Sequence, residues 1–159
     1  MKKLLFSSLL CLLALSMSAQ QYVDLGLPSG TQWKNHNEHG YYTYEQAIAT
    51  FGTNLPTKHQ LAELINMCVW TWTGNGCSVV GPNGQTLFIP AMGYFLCNDG
   101  GFWGKDIEAC YWSYTPATDA NKACDMYICA PEGKFDGVIM TGEVERCRYI
   151  SVRLVKLSH

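Results

Sequence analysis

The stretch "LPTKHQLAELINMCVWTWTGNG", residues 55–76, decides how the chain is read. Thr57 followed three residues later by Gln60 is a capping box, in which each side chain satisfies a backbone N–H that the first helical turn leaves open. Leu61, Leu64, Ile65 and Cys68 then fall at i, i+3, i+4 and i+7, one apolar stripe on a helix. Directly afterwards the period drops to two. Trp70 and Trp72 are separated by polar Thr71 and run into Gly74-Asn75-Gly76, the pattern of a strand ending in a turn. Both indoles read as core and core rim rather than as a binding platform, because tryptophan is on average highly buried.

Working outward, the residues before this stretch repeat the device. Thr43 and Gln46 form a second capping box, Tyr44, Ala47, Ile48 and Phe51 make a second apolar stripe, and Gly52 supplies the stop. Further upstream, Tyr22 to Leu25 and Gln32 to Lys34 read as short strands around the turn "GLPSG". Downstream, "CSVV" and "TLFIP" flank Gly81-Pro82-Asn83-Gly84 as a hairpin. Short strands follow over Met92 to Leu96, Tyr111 to Ser113, Ala123 to Cys129, Val138 to Thr141 and Ser151 to Val155. Asn98 to Ala109 reads as a long glycine-containing loop. Two early helices and many late strands predict an α+β domain, with two helices packed on short antiparallel strands.

Lys2 and Lys3, the apolar run Leu4 to Leu15 and the small residues ending at Ala19 form a secretory signal pattern, which assigns residues 1–19 to a signal peptide and 20–159 to a single domain. The run is shorter than the roughly 20 apolar residues a membrane-spanning helix needs, and no later stretch approaches it, so no membrane insertion is expected after cleavage. With the two leader lysines removed, nine of the 11 basic residues remain against 13 acidic ones. Mild acidity of that size argues against nucleic acid or an anionic membrane surface as a partner. Setting Cys11 aside with the leader leaves seven of the eight cysteines, and in an exported chain that density reads as disulfides. Cys97, Cys110, Cys68 and Cys147 are candidate partners, with connectivity open. A Cys97–Cys110 bridge would close the loop between them and pre-organise it. Zinc fits less well, since only Cys124 and Cys129 are even loosely close in sequence.

The order of these signals, "YVDLGLPSGTQW", "GYYTYEQA", "LPTKHQLAELI", "VWTWTGNG", "VVGPNGQTLFIPAMGY", "YWSYTP" and "SVRLV", resembles the Fibrobacter succinogenes major paralogous domain of secreted Bacteroidetes proteins. The helix, the "YWS" strand and the closing "RLV" also resemble the wider C-type-lectin-like group that includes formylglycine-generating enzymes. The resemblance implies a C-type-lectin-like fold, chain ends brought together, a long loop region on one side, and framework roles for Trp112, Ser113 and Arg153. Met92, Phe95, Tyr114 and the many cysteines depart from the pattern.

No catalytic motif emerges. The paired calcium triplets of sugar-binding lectins are missing, and Asp99, Asp106 and Glu108 read as solvated loop carboxylates before they read as a calcium site. The cysteines lack the motif that formylglycine-generating oxidation would need. Ser113 has no recognisable triad partners, and His36 and His39 lie in a polar loop where a surface role outweighs zinc. The expectation is therefore a secreted, non-enzymatic binding module without a cofactor. Its partner would be a glycan or a surface protein, met through loop 98–108 by Asn98, Asp99, Phe102, Trp103, Lys105, Asp106 and Glu108, since loops on rigid scaffolds carry binding. The alternative is a structural or interaction subunit of a bacterial surface assembly.

Overall fold

The computed structural model describes residues 21–132 and 137–157; the expected leader lies outside them. Strands β1 (Tyr22–Asp24) and β2 (Thr31–Lys34) open the chain. Helix α1 (Tyr44–Phe51) is capped as the sequence dictates, with Thr43 Oγ1 accepting from the Gln46 N–H and Gln46 Oε1 accepting from the Thr43 N–H, and Gly52 (φ 50°) ends it. Helix α2 (Lys58–Met67) starts in the same way at Thr57 and Gln60. Its stripe buries Leu61 and Leu64 completely. The chain then turns directly into β3 (Val69–Trp72), where Trp70 and Trp72 are partly buried against the core and the Trp70 indole N–H donates to Leu64 O (3.2 Å).

The rest is sheet: β4 (Gly76–Val80), β5 (Thr86–Pro90), β6 (Tyr94–Phe95), β7 (Phe102–Trp103), β8 (Glu108–Pro116), β9 (Lys122–Cys129), β10 (Ile139–Glu145) and β11 (Val155–Leu157). With 43% strand and 16% helix, the α+β class holds. The strands form four small sheets, β1-β2-β11, β3-β4-β5, β6-β7 and β10-β9-β8, and every strand-to-strand pairing is antiparallel. The first and last described strands flank β2.

Strand β8 joins two cores because successive side chains point to opposite faces. Ala109 and Tyr111 enter one, with Leu61, Leu64, Val79 and Met126. Cys110 and Trp112 enter the other, with Tyr44, Ala47, Ile150 and Val152. Trp112 is fully buried and donates its indole N–H to Tyr42 O (2.7 Å), while Ser113 Oγ donates to Pro56 O (2.9 Å). Buried Arg153 places its donors on Asn37 Oδ1, Lys34 O and Phe88 O, tying β2 to β5.

Three expectations change. The segment 98–109 is not one long loop: Phe102–Trp103 pairs with Tyr94–Phe95, and β8 already begins at Glu108. Gly93 permits that return, since its φ is 72° and a Cβ there would lie 2.4 Å from Trp103 O. The last strand is Val155–Leu157, and Ser151 makes only an isolated bridge to Tyr111. Cysteine pairing also differs. Cys97 bonds to Cys147, two of the four candidate partners, and not to Cys110, which is buried on β8. Cys68, Cys77, Cys110, Cys124 and Cys129 are free thiols. Four of them are buried on β-strands, where cysteine behaves as a small apolar side chain, which is why density alone overstated the disulfides.

Candidate binding cleft

In the β10-β9-β8 sheet the middle strand is β9, and residues directly opposite one another in antiparallel strands project from the same face. Register therefore sets Glu108 beside Cys129, Cys110 beside Tyr127 and Met140, and Trp112 beside Asp125 and Gly142. Along β8, Trp112 and Cys110 close the inner part of this face with core. Towards Glu108 and β10 it opens into a cleft of about 580 Å³, roofed on one side by Tyr94 of β6 and Trp103 of β7.

Asp125 sits at the floor and is fully buried. The Cys110 thiol and the backbone N–H of Asp125 itself are the donors nearest its carboxylate, and no other side chain hydrogen-bonds it among the described residues. Burial pushes its carboxyl up to about 7, partly offset by the neighbouring Cys110 thiol and by the positive charge of Arg148. Its carboxylate packs directly on Gly142 of the neighbouring strand, where a Cβ would lie 2.9 Å from Oδ1, so position 142 has room for it only as glycine. Burial, reinforced by Asp125, holds the Cys110 thiol well above its ordinary range, so it stays protonated and is a poor nucleophile at neutral pH.

The walls carry the accessible chemistry. Trp103 is 58% exposed. The Tyr94 hydroxyl donates to Glu108 Oε2 (3.1 Å), and burial together with that carboxylate pushes the phenol up to about 12. Arg148 lies over the Tyr94 ring at 5.6 Å while its Nε pairs with Glu145 (2.7 Å), so its charge is already engaged. Glu143 borders the cleft on edge strand β10 but, lying opposite Cys124, sends its exposed side chain from the other face of the sheet. An aromatic wall beside a carboxylate offers ring stacking and strong hydrogen-bond acceptance together.

Of the residues expected from sequence, Trp103 and Glu108 line this cleft. Phe102 follows the opposite face of β7, because neighbours on a strand alternate, and packs against Phe95 (4.7 Å) and Tyr41 (5.8 Å). Asn98 and Asp99 line a smaller hollow beside Cys97, where Asp99 Oδ1 accepts from the Gly101 N–H (2.9 Å). Lys105 and Asp106 are exposed on the following turn, and Asp106 (φ 62°) donates its N–H to Ala91 O. His36 and His39 are exposed, and no group of three or more His, Cys, Asp or Glu suited to a metal occurs among the described residues. Sequence reasoning missed Tyr94, Asp125, Glu143 and Arg148. For Asp125 a signal existed: it is the one charged residue inside the apolar run "ACDMYICA", where a carboxylate demands a reason.

Compared with known proteins, the chain matches no family model, no curated protein and no solved structure. The resemblance described above accordingly rests on the motifs themselves.

Proposed function

We propose that the protein is a secreted, non-enzymatic binding module with a C-type-lectin-like fold, which takes a glycan into the cleft between β7 and the β10-β9-β8 sheet. The observation that carries this reading is Trp103: a large ring, mostly exposed, on the rim of a cleft whose wall holds Glu108. Sugars present an apolar face of C–H groups and a rim of hydroxyls, so a ring to stack on and a carboxylate to accept hydrogen bonds match them.

A second reading, an interaction subunit of a surface assembly, draws on the other side of the β6–β7 hairpin. There Tyr41, Phe95 and Tyr149 line an apolar hollow, with Phe102 packed against Tyr41 and Phe95. A glycan array and a pull-down from surface extracts, each run with Trp103→Ala and Phe102→Ala, separate the two. Glycan signals lost in Trp103→Ala alone support the cleft; retention of those signals in Trp103→Ala overturns it.

A further inference from the structure

We infer that the cleft selects β-linked sugars whose ring hydroxyls are all equatorial, the gluco and xylo configurations, over sugars with an axial hydroxyl. This deepens the glycan reading and rests on it. The ground is that the cleft has two apolar walls, not one. Tyr94 and Trp103 are paired directly across β6 and β7, so both rings project from one face of the hairpin and make the first wall. The Gly93 N–H donates to Glu108 O (2.8 Å), which hangs that wall on β8. Met140 makes the second wall. It lies opposite Tyr127 on β10, so it rises from the cleft face of the sheet, and it is 49% exposed. Neither Trp103 nor Met140 belongs to either packed core, so the fold itself gives no use for two such apolar side chains on the borders of one cleft.

The width of the floor suits a single ring. β8 and β10 lie two strand spacings apart, about 9–10 Å, with β9 between them. A ring touched on both faces needs two van der Waals contacts of about 4 Å each, and the flexible methionine side chain takes up the remainder. Stereochemistry then decides which ring fits. In β-linked glucose and xylose both faces carry only axial C–H groups, and each can rest on an apolar wall. Mannose differs from glucose only in its axial 2-hydroxyl. Whichever way that ring enters, the hydroxyl is pressed against the face of Trp103 or the Met140 thioether, where it loses water without gaining a strong hydrogen bond. Equatorial hydroxyls project along the ring plane instead. There the Tyr94 hydroxyl fixes Glu108 (3.1 Å), whose carboxylate has further lone pairs to receive them.

The test is isothermal titration of the purified protein, with its Cys97–Cys147 disulfide formed, against β-1,4-linked tetramers of glucose, xylose and mannose. The glucose and xylose tetramers should bind about tenfold more tightly than the mannose tetramer, the effect of one hydroxyl buried without a partner. Met140→Ala should shrink that margin by weakening the glucose and xylose tetramers. Met140→Gln, whose amide offers the axial hydroxyl a partner, should shrink it by strengthening mannose. Because Met140 is exposed and outside both cores, each variant should melt like the wild type, so a changed margin reports on the cleft. Mannose binding as tightly as glucose, in a manner still lost in Trp103→Ala, overturns the selectivity and leaves the glycan reading standing. Binding of none of the three while the array shows other glycans does the same. Binding of none of the three, with the array also blank, overturns both. A margin unchanged in both Met140 variants overturns the second wall.

Discussion

Trp112 and Trp103 are the same side chain within one short stretch of chain, and they end in opposite environments. Trp112 lies on a nine-residue strand covered on both faces; its ring meets Tyr44 edge-on at 5.4 Å and its N–H is satisfied by Tyr42 O. Trp103 lies on a two-residue strand at the molecular edge and is 58% exposed. What separates them is the number of neighbours a strand recruits, not the residue. A strand in the middle of packed layers converts an indole into stability, whereas a hairpin held by glycines and a disulfide leaves one available for a ligand.

Truncating the buried member should have the largest effect. Trp112→Ala leaves a cavity between α1 and β8 and removes one of the two hydrogen bonds to Tyr42 O, which keeps the Ile150 N–H, and should cost about 3–5 kcal/mol. Against a total of about 5–15 kcal/mol for a domain of this kind, such a loss lowers the melting temperature sharply. A calorimetric or circular-dichroism melt checks it, and a near-native midpoint would show that the inner face of β8 is not what holds the fold.

Asp125 belongs to the same buried face but opposes stability there. Its folded carboxyl titrates near 7, above the ordinary 3.8, so the folded protein holds that proton more tightly than the unfolded chain. The stabilisation is fully present below about pH 4 and is lost as pH rises towards 7, where ionisation in the buried site becomes unavoidable. A shift of about three units corresponds to at most about 4 kcal/mol. Asp125→Asn should therefore melt higher than the wild type at pH 8 and nearly alike at pH 4. Parallel melting curves across that range would show that the carboxyl is not buried as described.

On the exposed side, the Cys97–Cys147 disulfide ties the end of the β6 segment to the chain after β10 across a sequence separation of 50 residues. Removing it with Cys97→Ser and Cys147→Ser should cost about 2–4 kcal/mol, chiefly through the freed unfolded chain. Alkylation of the denatured, unreduced protein should label Cys68, Cys77, Cys110, Cys124 and Cys129 and spare Cys97 and Cys147. Labelling at Cys97 would place the staple elsewhere.

The contrast also marks what the sequence could and could not convey. Both helices, with their capping boxes, and the hairpin of β4 and β5 were legible because their signals are local: a cap three residues from its partner, an apolar stripe, a turn between alternating runs. The cleft was legible only at Trp103 and Glu108. Tyr94, Asp125 and Arg148 come from β6, β9 and the turn after β10, and their convergence depends on register between strands distant in sequence. Two of the four candidate cysteines, Cys97 and Cys147, do pair, and only the Cys97–Cys110 bridge failed, for the same reason. Cys97 and Cys110 are near in sequence, yet Cys97 follows β6 half-buried while Cys110 faces the core from β8.

The smallest expected effect on stability belongs to Trp103. Its ring is mostly in water, and its flanks are fixed without it: Phe102 packs on Phe95 and Tyr41, the Gly93 N–H donates to Glu108 O (2.8 Å), and the disulfide holds the far end. Truncation to alanine should thus move stability by no more than about 0.5 kcal/mol, as exposed substitutions do. Binding should respond very differently, because a ring that stacks on a ligand typically contributes more than 1 kcal/mol at the centre of a contact. Thermal melts and glycan titrations on Trp103→Ala and Trp112→Ala together make the decisive pair. If Trp103→Ala melts as early as Trp112→Ala, the hairpin is part of the core and the two tryptophans differ in exposure alone. If instead it melts like the wild type and no longer binds the sugars that the wild type retains, the edge of the molecule carries recognition on a scaffold that β8 and β9 hold by themselves.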